Sequence, residues 1–270
     1  MSLIQALILG IVQGLTEFLP VSSDGHLVLV PFILGWDEPS LAFIVSTHIG
    51  TLVALIFVFR ARILEILKAV VGAGPEREPD RRLAALIVIG TIPGALVGAL
   101  LASQVEDTFE RPVLATLFLG ITGWALLSAE THYEERKDAP RTEGALTPID
   151  AGLIGLAQAT AVLPGISRSG TTIATGLWRG INREAAARFS FLLAIPITLG
   201  AILVKLPDMI DEGTSGAGGA MALGVVTAAI TGVLAIEAML ALVKRRGLKP
   251  FGVYCFFAMT AGLLTALARG

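Results

Sequence analysis

The sequence is poor in charge and in cysteine, and each shortage excludes a class of protein. Charged residues make up 16% of the 270 residues, hydrophobic residues make up 54%, and the mean hydropathy is +0.78. Soluble domains carry about 25% charged residues, so this composition argues against one. The single cysteine, Cys255, excludes an internal disulfide and a multi-cysteine metal site. The net charge of −2 and the absence of a basic arm give no sign of a nucleic-acid partner.

Repeated apolar runs of about twenty residues are present instead, which is the length that an α-helix needs to cross a bilayer. We predict an all-α polytopic membrane protein with six transmembrane helices. The predicted spans are residues 41–59, 83–101, 113–129, 185–204, 220–243 and 251–268. The N-terminus lacks the basic segment of a signal peptide, so we expect it to be part of the fold.

Two further apolar stretches are interrupted by turns, and neither is suited to span the bilayer as one helix. Residues 3–36 break at Pro20, and residues 148–178 break at Pro164-Gly165. Proline and glycine interrupt helices. Irregular backbone at membrane depth is tolerated only inside protein or beside water. We therefore predict two re-entrant helix hairpins.

The basic residues predict how these elements are oriented. They gather in the loops at residues 60–82, 136–141, 179–183 and 244–249, which lie at alternate ends of the predicted spans. The positive-inside rule places these loops in the cytoplasm. The first hairpin then enters from outside and the second from the cytoplasm, each followed by three spans. We predict an inverted-topology repeat, with residues 1–130 as the first copy and 148–270 as the second.

A weak internal similarity agrees with this repeat. A shift of about 145 residues places Ile4 on Ile149, Gly10 on Gly155, Gln13 on Gln158, Ser22 on Ser167 and Gly25 on Gly170. Glycine and serine matches alone carry little weight, but the charge pattern predicts the same repeat independently.

The second hairpin carries an arginine and four hydroxyls inside apolar sequence, at residues 163–172. An arginine at membrane depth costs roughly 2.5–3.5 kcal/mol, so a partner or a ligand is expected. A helix starting at Ser167 and running to about Trp178 would add backbone N–H groups, a combination suited to phosphate. The predicted phosphate-binding residues here are Ser167, Arg168, Ser169, Gly170, Thr171 and Thr172. The alternative is a proline-kinked helix with a snorkelling arginine.

The first hairpin supplies the other half of the predicted site, namely Gln13, Glu17, Ser22, Ser23, Asp24 and His26. A carboxylate and an imidazole beside hydroxyls and an arginine offer a base, an acid, a nucleophile and an anion clamp. Carboxylates beside a phosphate site also favour a divalent cation, Mg²⁺ or Ca²⁺, with Glu17 and Asp24 as candidate ligands.

The same residues have plainer alternatives. Glu17 can simply form an ion pair with Arg168, and His26 can be satisfied by backbone at a helix start. The hydroxyls of Ser22 and Ser23 can serve only as helix caps.

Three further residues inside the predicted spans carry a basic or acidic side chain. We favour structural roles for His48 and Glu237, because neither has polar neighbours in sequence. For Arg188, one turn into a span, we expect snorkelling or an ion pair.

Residues 13–23 (QGLTEFLPVSS), followed by Gly25-His26, resemble the first motif of the bacterial undecaprenyl-diphosphate phosphatases, also called bacitracin-resistance proteins. Residues 164–170 (PGISRSG) resemble their second motif, and the similarity continues through residues 189–196 (FSFLLAIP). Two long motifs in this order are highly specific, and the resemblance covers nearly the whole chain.

The resemblance implies an enzyme of the bacterial inner (plasma) membrane. It would hydrolyse the C55 undecaprenyl diphosphate to undecaprenyl phosphate and inorganic phosphate. That reaction recycles the lipid carrier for peptidoglycan and other envelope polymers and confers bacitracin resistance. The family also implies a homodimer, surrounded by membrane lipids and dependent on a divalent cation.

Site roles follow from the same resemblance, position by position. Glu17 looks like the essential carboxylate, Ser23 like the proposed nucleophile and His26 like a general acid or base. Arg168 looks like the diphosphate clamp, and Gln13 fills the first position of a Glu/Gln-x-x-x-Glu motif.

Two residues depart from the family pattern. Asp24 stands where a small hydroxyl or neutral residue is expected, and His48 stands in a His-Ile-Gly where the family usually has Gln-Leu-Gly. A carboxylate at residue 24 would repel a diphosphate unless it is protonated or binds a metal.

A flippase or transporter for polyprenyl phosphate is the alternative function. Inverted repeats with polar groups at the midplane are typical of transporters. The motifs favour hydrolysis, so we predict the phosphatase.

Overall fold

The computed structural model shows an all-helical chain, as the sequence predicts. It describes residues 1–72, 74–109, 111–136, 138–212 and 218–269, with backbone alone at 102–109 and 211–212. The α-helices within these ranges are α1 Leu3–Phe18, α2 Ser23–Leu34, α3 Leu41–Val71, α4 Glu78–Phe109, α5 Pro112–Glu135, α6 Pro148–Ala159, α7 Arg168–Trp178, α8 Arg183–Glu212, α9 Gly218–Arg246 and α10 Lys249–Arg269. Six of the described helices (α3, α4, α5, α8, α9 and α10) are long and apolar enough to cross a membrane.

Several helices continue beyond the predicted spans. α3 continues past residue 59 to Val71, because arginine and lysine favour helix as well as water, and it ends only at Gly72. α4 and α8 likewise continue into the predicted turns at residues 103–112 and 206–219. The acidic side chains expected there lie outside the described residues: Glu106, Asp107, Glu110, Asp211 and Glu212.

Two helix breaks interrupt the chain where the sequence predicts them. α1 ends at Phe18 and α2 begins after Ser22, its N-cap. α6 is followed by a 3₁₀ turn at Thr160–Val162, and α7 begins after its N-cap Ser167. Among the described residues, Ser22 is the one non-glycine residue with a positive φ, 68°. Such backbone costs about 1–3 kcal/mol and is maintained by its surroundings.

The two breaks touch each other. The backbone N–H of Gly165 donates to Ser22 Oγ at 3.1 Å, and Ser22 Oγ donates to the carbonyl of Ile166 at 3.4 Å. A Cβ on Gly25 would lie 2.9 Å from Gly165 Cα, so a side chain there would force the breaks apart. The N-termini of α2 and α7 therefore meet at one point.

Aromatic packing fixes the position of this point within the bundle. Phe18 of α1 and Phe59 of α3 both pack edge-on against Phe191 of α8, with ring centroids 5.8 and 6.0 Å apart. All three rings are buried. Edge-to-face pairs contribute about 0.5–1.5 kcal/mol beyond the area they bury, so the last turn of α1 is held rigidly.

The arginine-rich loops lie together at one end of the molecule, which we call the basic end. Arg62 pairs with Asp80 at 2.7 Å, and Arg82 donates to the carbonyl of Leu146 at 2.6 Å. Further polar contacts of this end include Arg141 and Arg179 with Asp150, Arg183 with Glu130, and Lys249 with Glu134. The basic loops that the sequence assigns to one side of the membrane are thus neighbours in space.

Candidate active site

A cavity of about 740 Å³ lies where the two helix breaks meet. Its walls come from α1, α2, α3, α8 and the break before α7, and much of the lining is apolar. The sequence-predicted site residues that line it are Glu17, Ser22, Ser23, Asp24, Ser167, Arg168 and Ser169. The fold therefore assembles most of the predicted site from segments about 145 residues apart.

Glu17 is the centre of the polar wall. Its Oε1 accepts from Arg168 Nη2 at 2.6 Å, and its Oε2 accepts from Ser23 Oγ at 2.6 Å and from Gln13 Nε2 at 3.0 Å. The ion pair between Glu17 and Arg168 that the sequence left as an alternative is therefore present. It lies in the cavity wall, where a ligand can reach it.

Two polar atoms of this cluster have no hydrogen-bond partner in the described part of the chain. They are Arg168 Nη1 and Gln13 Oε1, and both are buried. A buried donor without a partner costs about 1–3 kcal/mol, more for a charged group. Because Arg168 lines the cavity, an anion bound there would supply the missing acceptor.

Two helix N-termini point at the same place. Ser22 Oγ accepts from the N–H of Gly25 at 3.3 Å, and Ser167 Oγ accepts from the N–H of Gly170 at 3.0 Å. Both cap residues line the cavity. The N-terminus of a helix carries roughly half a positive charge, so the cavity is electrostatically suited to a phosphate.

Other predicted phosphate-binding residues on α7 are engaged within the protein. Thr171 Oγ1 donates to the carbonyl of Ser167 at 2.9 Å, and Thr172 Oγ1 is 2.7 Å from Ser190 Oγ. Neither they nor Gly170 and Gln13 are among the residues that line the cavity. Their contact with substrate stays a prediction.

His26 also lies outside the cavity lining. Its Nδ1 is 2.7 Å from the carbonyl of Ser22, and its Nε2 is 2.9 Å from Tyr254 Oη. A carbonyl only accepts, so Nδ1 carries the proton and Nε2 accepts from the tyrosine. This arrangement matches the plainer alternative and holds Ser22 in its strained conformation, so the acid–base role of His26 stays a prediction.

His48, for which the sequence favoured a structural role, lines the cavity. Its Nε2 lies 3.7 Å from Glu17 Oε2 and 3.7 Å from Asp24 Oδ1. Sequence reasoning missed this because the polar neighbours of His48 are on other helices. The available signal was that residues 24 and 48 both depart from the family pattern.

The other two intramembrane polar residues lie away from the cavity. Arg188 pairs with Glu184 at 3.1 Å, as expected for a pairing residue. Glu237 is exposed on α9.

The cavity mouth lies at the end of the bundle opposite the basic end. Its rim contains Glu38, which precedes the start of α3, and Lys205 and Asp208 near the end of α8. α3 ends and α8 begins at the basic end, so these rim residues mark the other face.

The acidic groups of the cavity limit how a cation can be held. Among the described residues, no group of three or more histidine, cysteine, aspartate or glutamate side chains could hold a metal ion. Both Glu17 oxygens already accept hydrogen bonds, whereas the Asp24 side chain is 31% exposed in the cavity wall. Mg²⁺ commonly binds through one or two carboxylates, waters and substrate phosphates, so this donor set fits a cation that arrives with a diphosphate.

Known proteins have similar sequences over nearly the whole length of this chain. Residues 6–261 match the family described as bacitracin resistance protein BacA. An undecaprenyl-diphosphatase of Pelobacter propionicus is 43% identical over 263 residues, covering 96% of this chain and 95% of the relative. Undecaprenyl-diphosphatase 2 of Stutzerimonas stutzeri is 42% identical over 94% of both chains, and an undecaprenyl-diphosphatase of Moorella thermoacetica is 39% identical over 99% and 97%. The chain therefore belongs to the BacA family of bacitracin resistance proteins.

Proposed function

We propose that this chain is a membrane enzyme that hydrolyses undecaprenyl diphosphate to undecaprenyl phosphate and inorganic phosphate, and so recycles the lipid carrier of cell-wall synthesis. The observation that carries the proposal is the Glu17–Arg168–Ser23 cluster in the cavity wall, with a guanidinium nitrogen that has no hydrogen-bond partner among the described residues. Relatives about 40% identical that are named undecaprenyl-diphosphatase favour hydrolysis over transport.

Arg168 and the N-termini of α2 and α7 would hold the diphosphate. In the described part of the chain the guanidinium has an N–H without a partner, and the N-cap residues of α2 and α7, Ser22 and Ser167, line the cavity. The isoprenoid tail would enter between helices and lie against the apolar part of the lining. These contacts bring the terminal phosphorus to the polar wall and neutralise its charge.

Ser23 would attack the terminal phosphorus. Its Oγ donates to Glu17 Oε2 at 2.6 Å, so Glu17 can take the hydroxyl proton as the Oγ–P bond forms. The bond between phosphorus and the bridging oxygen breaks, and undecaprenyl phosphate leaves with the proton that Glu17 took from Ser23. Water then attacks the phosphoserine, Glu17 accepts the water's proton and passes it to Ser23 Oγ, and phosphate leaves as the serine is restored. In the direct alternative, a water replaces Ser23 as the nucleophile.

A divalent cation, Mg²⁺ or Ca²⁺, is also part of the proposal. Asp24, with Glu17 beside it in the cavity wall, would hold it together with the diphosphate oxygens. When bound, such a cation supplies charge neutralisation at the phosphoryl oxygens. Mg²⁺ is the better fit because Ca²⁺ usually needs six to eight oxygen ligands.

The proposal includes the inverted repeat with its two re-entrant hairpins. Equivalent glycines support it: Gly10 of α1 packs against the backbone of Gly224 in α9, and Gly155 of α6 packs against the backbone of Gly90 in α4. The helix pairs α1–α9 and α6–α4 thus correspond. Cysteine accessibility of the two breaks from opposite sides of oriented vesicles would test the repeat.

Location in the bacterial inner membrane and the homodimer are further parts of the proposal. With the basic end in the cytoplasm, the cavity mouth at Glu38, Lys205 and Asp208 opens to the outer face. Light scattering of the protein in detergent, corrected for bound detergent, tests the dimer.

Phosphate release from the purified protein in detergent tests the function. Farnesyl and undecaprenyl diphosphate would be assayed with Mg²⁺, with Ca²⁺ and with a chelator. We expect cation-dependent release by the wild type. No release under any of these conditions, from protein that is folded, would contradict the proposal.

Ser23→Ala tests the covalent route, with Ser46→Ala as the matched control. Ser46 is buried in α3 and donates only to the carbonyl of Ala42. We expect Ser23→Ala to lose about 10²-fold or more and Ser46→Ala to retain full turnover. Full turnover by Ser23→Ala would exclude the phosphoserine and leave attack by water.

A further inference from the structure

Asp24 and His48 come from different helices and meet in the cavity wall. The Nδ1–H of His48 donates to the carbonyl of Ile44 at 2.9 Å, which fixes the ring on α3. Its Nε2 is therefore the nitrogen that faces the cavity, 3.7 Å from Asp24 Oδ1 and 3.7 Å from Glu17 Oε2. Since Nδ1 donates to a carbonyl and Nε2 faces two carboxylates, a ring protonated at both nitrogens can attract and orient the carboxylate of Asp24; Nε2 has no hydrogen bond in the described part of the chain.

The charges of the cavity show why this orientation matters. Glu17 is balanced by Arg168 at 2.6 Å and also lies 3.7 Å from His48, whereas Asp24 has His48 as its ion-pair partner in the described part of the chain. A carboxylate free to swing into the cavity would repel a diphosphate, since like charges at a few ångströms oppose each other strongly in a low-dielectric site. A carboxylate held in one orientation can instead bind, through its second oxygen, a cation that accompanies the substrate.

We propose that His48 is a positioning residue of the diphosphate site and that it acts through Asp24. His48 does not replace Glu17 or Arg168. It fixes the direction of the Asp24 carboxylate, so that the carboxylate assists rather than opposes diphosphate binding. This inference rests on the proposed function, because it assigns a task within the same site.

A double-mutant cycle between Asp24 and His48 tests the proposal. The readout is the concentration of a non-hydrolysable farnesyl diphosphonate that half-saturates the rise in melting temperature, measured in detergent with Mg²⁺. His48→Gln should raise this concentration roughly 10- to 100-fold in the wild-type background. In an Asp24→Asn background the same substitution should change it by less than about threefold, because the carboxylate to be oriented is gone.

The matched controls are an exposed histidine and an exposed aspartate outside the cavity. His132→Gln on α5 and Asp37→Asn in the loop before α3 should leave ligand binding unchanged. Phosphate release measured on the same samples should show the loss in His48→Gln mainly as a higher KM. A structural role would instead lower the melting temperature of the ligand-free protein and leave the half-saturating concentration unchanged.

Three outcomes would overturn the proposal. The first is that His48→Gln binds the diphosphonate as tightly as the wild type. The second is that His48→Gln weakens binding by the same factor in the wild-type and Asp24→Asn backgrounds, which would make the two residues independent. The third is that the effect of His48→Gln persists in the Asp24→Asn background and vanishes in a Glu17→Gln background, which would make Glu17 the residue through which His48 acts. Binding does not depend on turnover, so a wild type that binds the diphosphonate but releases no phosphate contradicts the proposed function and not this inference.

Discussion

Two of the buried carboxylates that pair with arginine in the described part of the chain, Asp150 and Glu17, differ in how completely the hydrogen bonds of the pair are made. At the basic end, Asp150 accepts from Arg179 Nε at 2.8 Å, from Arg141 Nη2 at 2.6 Å and from the N–H and hydroxyl of Thr147. Arg141 also donates to the carbonyl of Ala145. Burial raises the pKa of the Asp150 carboxyl, but these hydrogen bonds outweigh burial and hold the pKa well below its usual range.

In the cavity, Glu17 is also fully engaged, but its arginine is not. Arg168 donates from Nη2 to Glu17, and its Nη1 has no hydrogen-bond partner in the described part of the chain. A polar network with every group satisfied rigidifies a fold, and a network with one charged donor left over is prepared for a ligand. Both carboxylates are buried, so burial does not distinguish a structural ion pair from one that binds a ligand. The distinguishing property is whether a charged donor of the pair is left without a hydrogen-bond partner.

Replacement of the cavity carboxylate should have the largest effect on catalysis. Glu17→Gln removes the proposed base for Ser23, so we expect kcat/KM for farnesyl diphosphate to fall about 10²- to 10⁴-fold. Asp150→Asn should leave the kcat/KM of the folded protein within a few-fold of the wild type. Equal losses in the two variants, at equal amounts of folded protein, would remove the distinction between the clusters.

Replacement of the cavity arginine, Arg168, should have the second-largest effect on catalysis. Arg168→Lys keeps a positive charge but loses the planar fork that serves Glu17 and the phosphate together. We expect a loss of about 10²- to 10³-fold in kcat/KM. Arg188→Lys is the matched control, since Arg188 is exposed, lies outside the cavity lining and pairs with Glu184, and it should keep full activity.

The effect of Asp150→Asn should be on stability. We expect the folded state to lose about 1.5–3 kcal/mol at pH 7, seen as a lower melting temperature in detergent. Because the pKa of Asp150 is lowered by folding, its contribution is complete above the pKa of an unfolded aspartate, about 3.9, and is lost as the pH falls further. The difference in melting temperature between the wild type and Asp150→Asn should therefore narrow below about pH 4. A difference that widens there would contradict a stabilising role for the ionised Asp150.

The smallest expected effect concerns a hydrogen bond behind the site. Tyr254→Phe removes the donor to His26 Nε2 and keeps the stacked ring, whose centroid is 5.6 Å from the imidazole. We expect a two- to tenfold fall in kcat/KM, the size of one hydrogen bond of about 0.5–1.5 kcal/mol. A loss as large as that of Glu17→Gln would show that His26 takes part directly in proton transfer.

Local sequence features predicted the elements that build the site. Proline and glycine at residues 164–165 and the hydroxyl of Ser167 predicted the start of α7, and the structure begins that helix at Arg168. The two motifs predicted that Glu17, Ser23 and Arg168 share one place, and the structure joins them by hydrogen bonds of 2.6 Å. Helix breaks and caps depend on a few neighbouring residues, which is why the sequence reveals them.

Contacts between distant helices were beyond local reasoning. His48 had no polar neighbours in sequence, yet α1 and α2 bring two carboxylates to it. His26 was expected in the site, yet Tyr254, from the last helix, occupies its free nitrogen. The extent of α3 was also missed, because charged residues end a membrane span without ending a helix.

The central claim is that Arg168 holds a diphosphate with the donor it leaves unpaired, whereas the arginines of Asp150 do not. The most direct measurement is the rise in melting temperature caused by a non-hydrolysable farnesyl diphosphonate in wild type, Arg168→Lys and Arg179→Lys. We predict that the ligand stabilises the wild type and Arg179→Lys alike and that this stabilisation is lost in Arg168→Lys. Undiminished stabilisation of Arg168→Lys would contradict the claim.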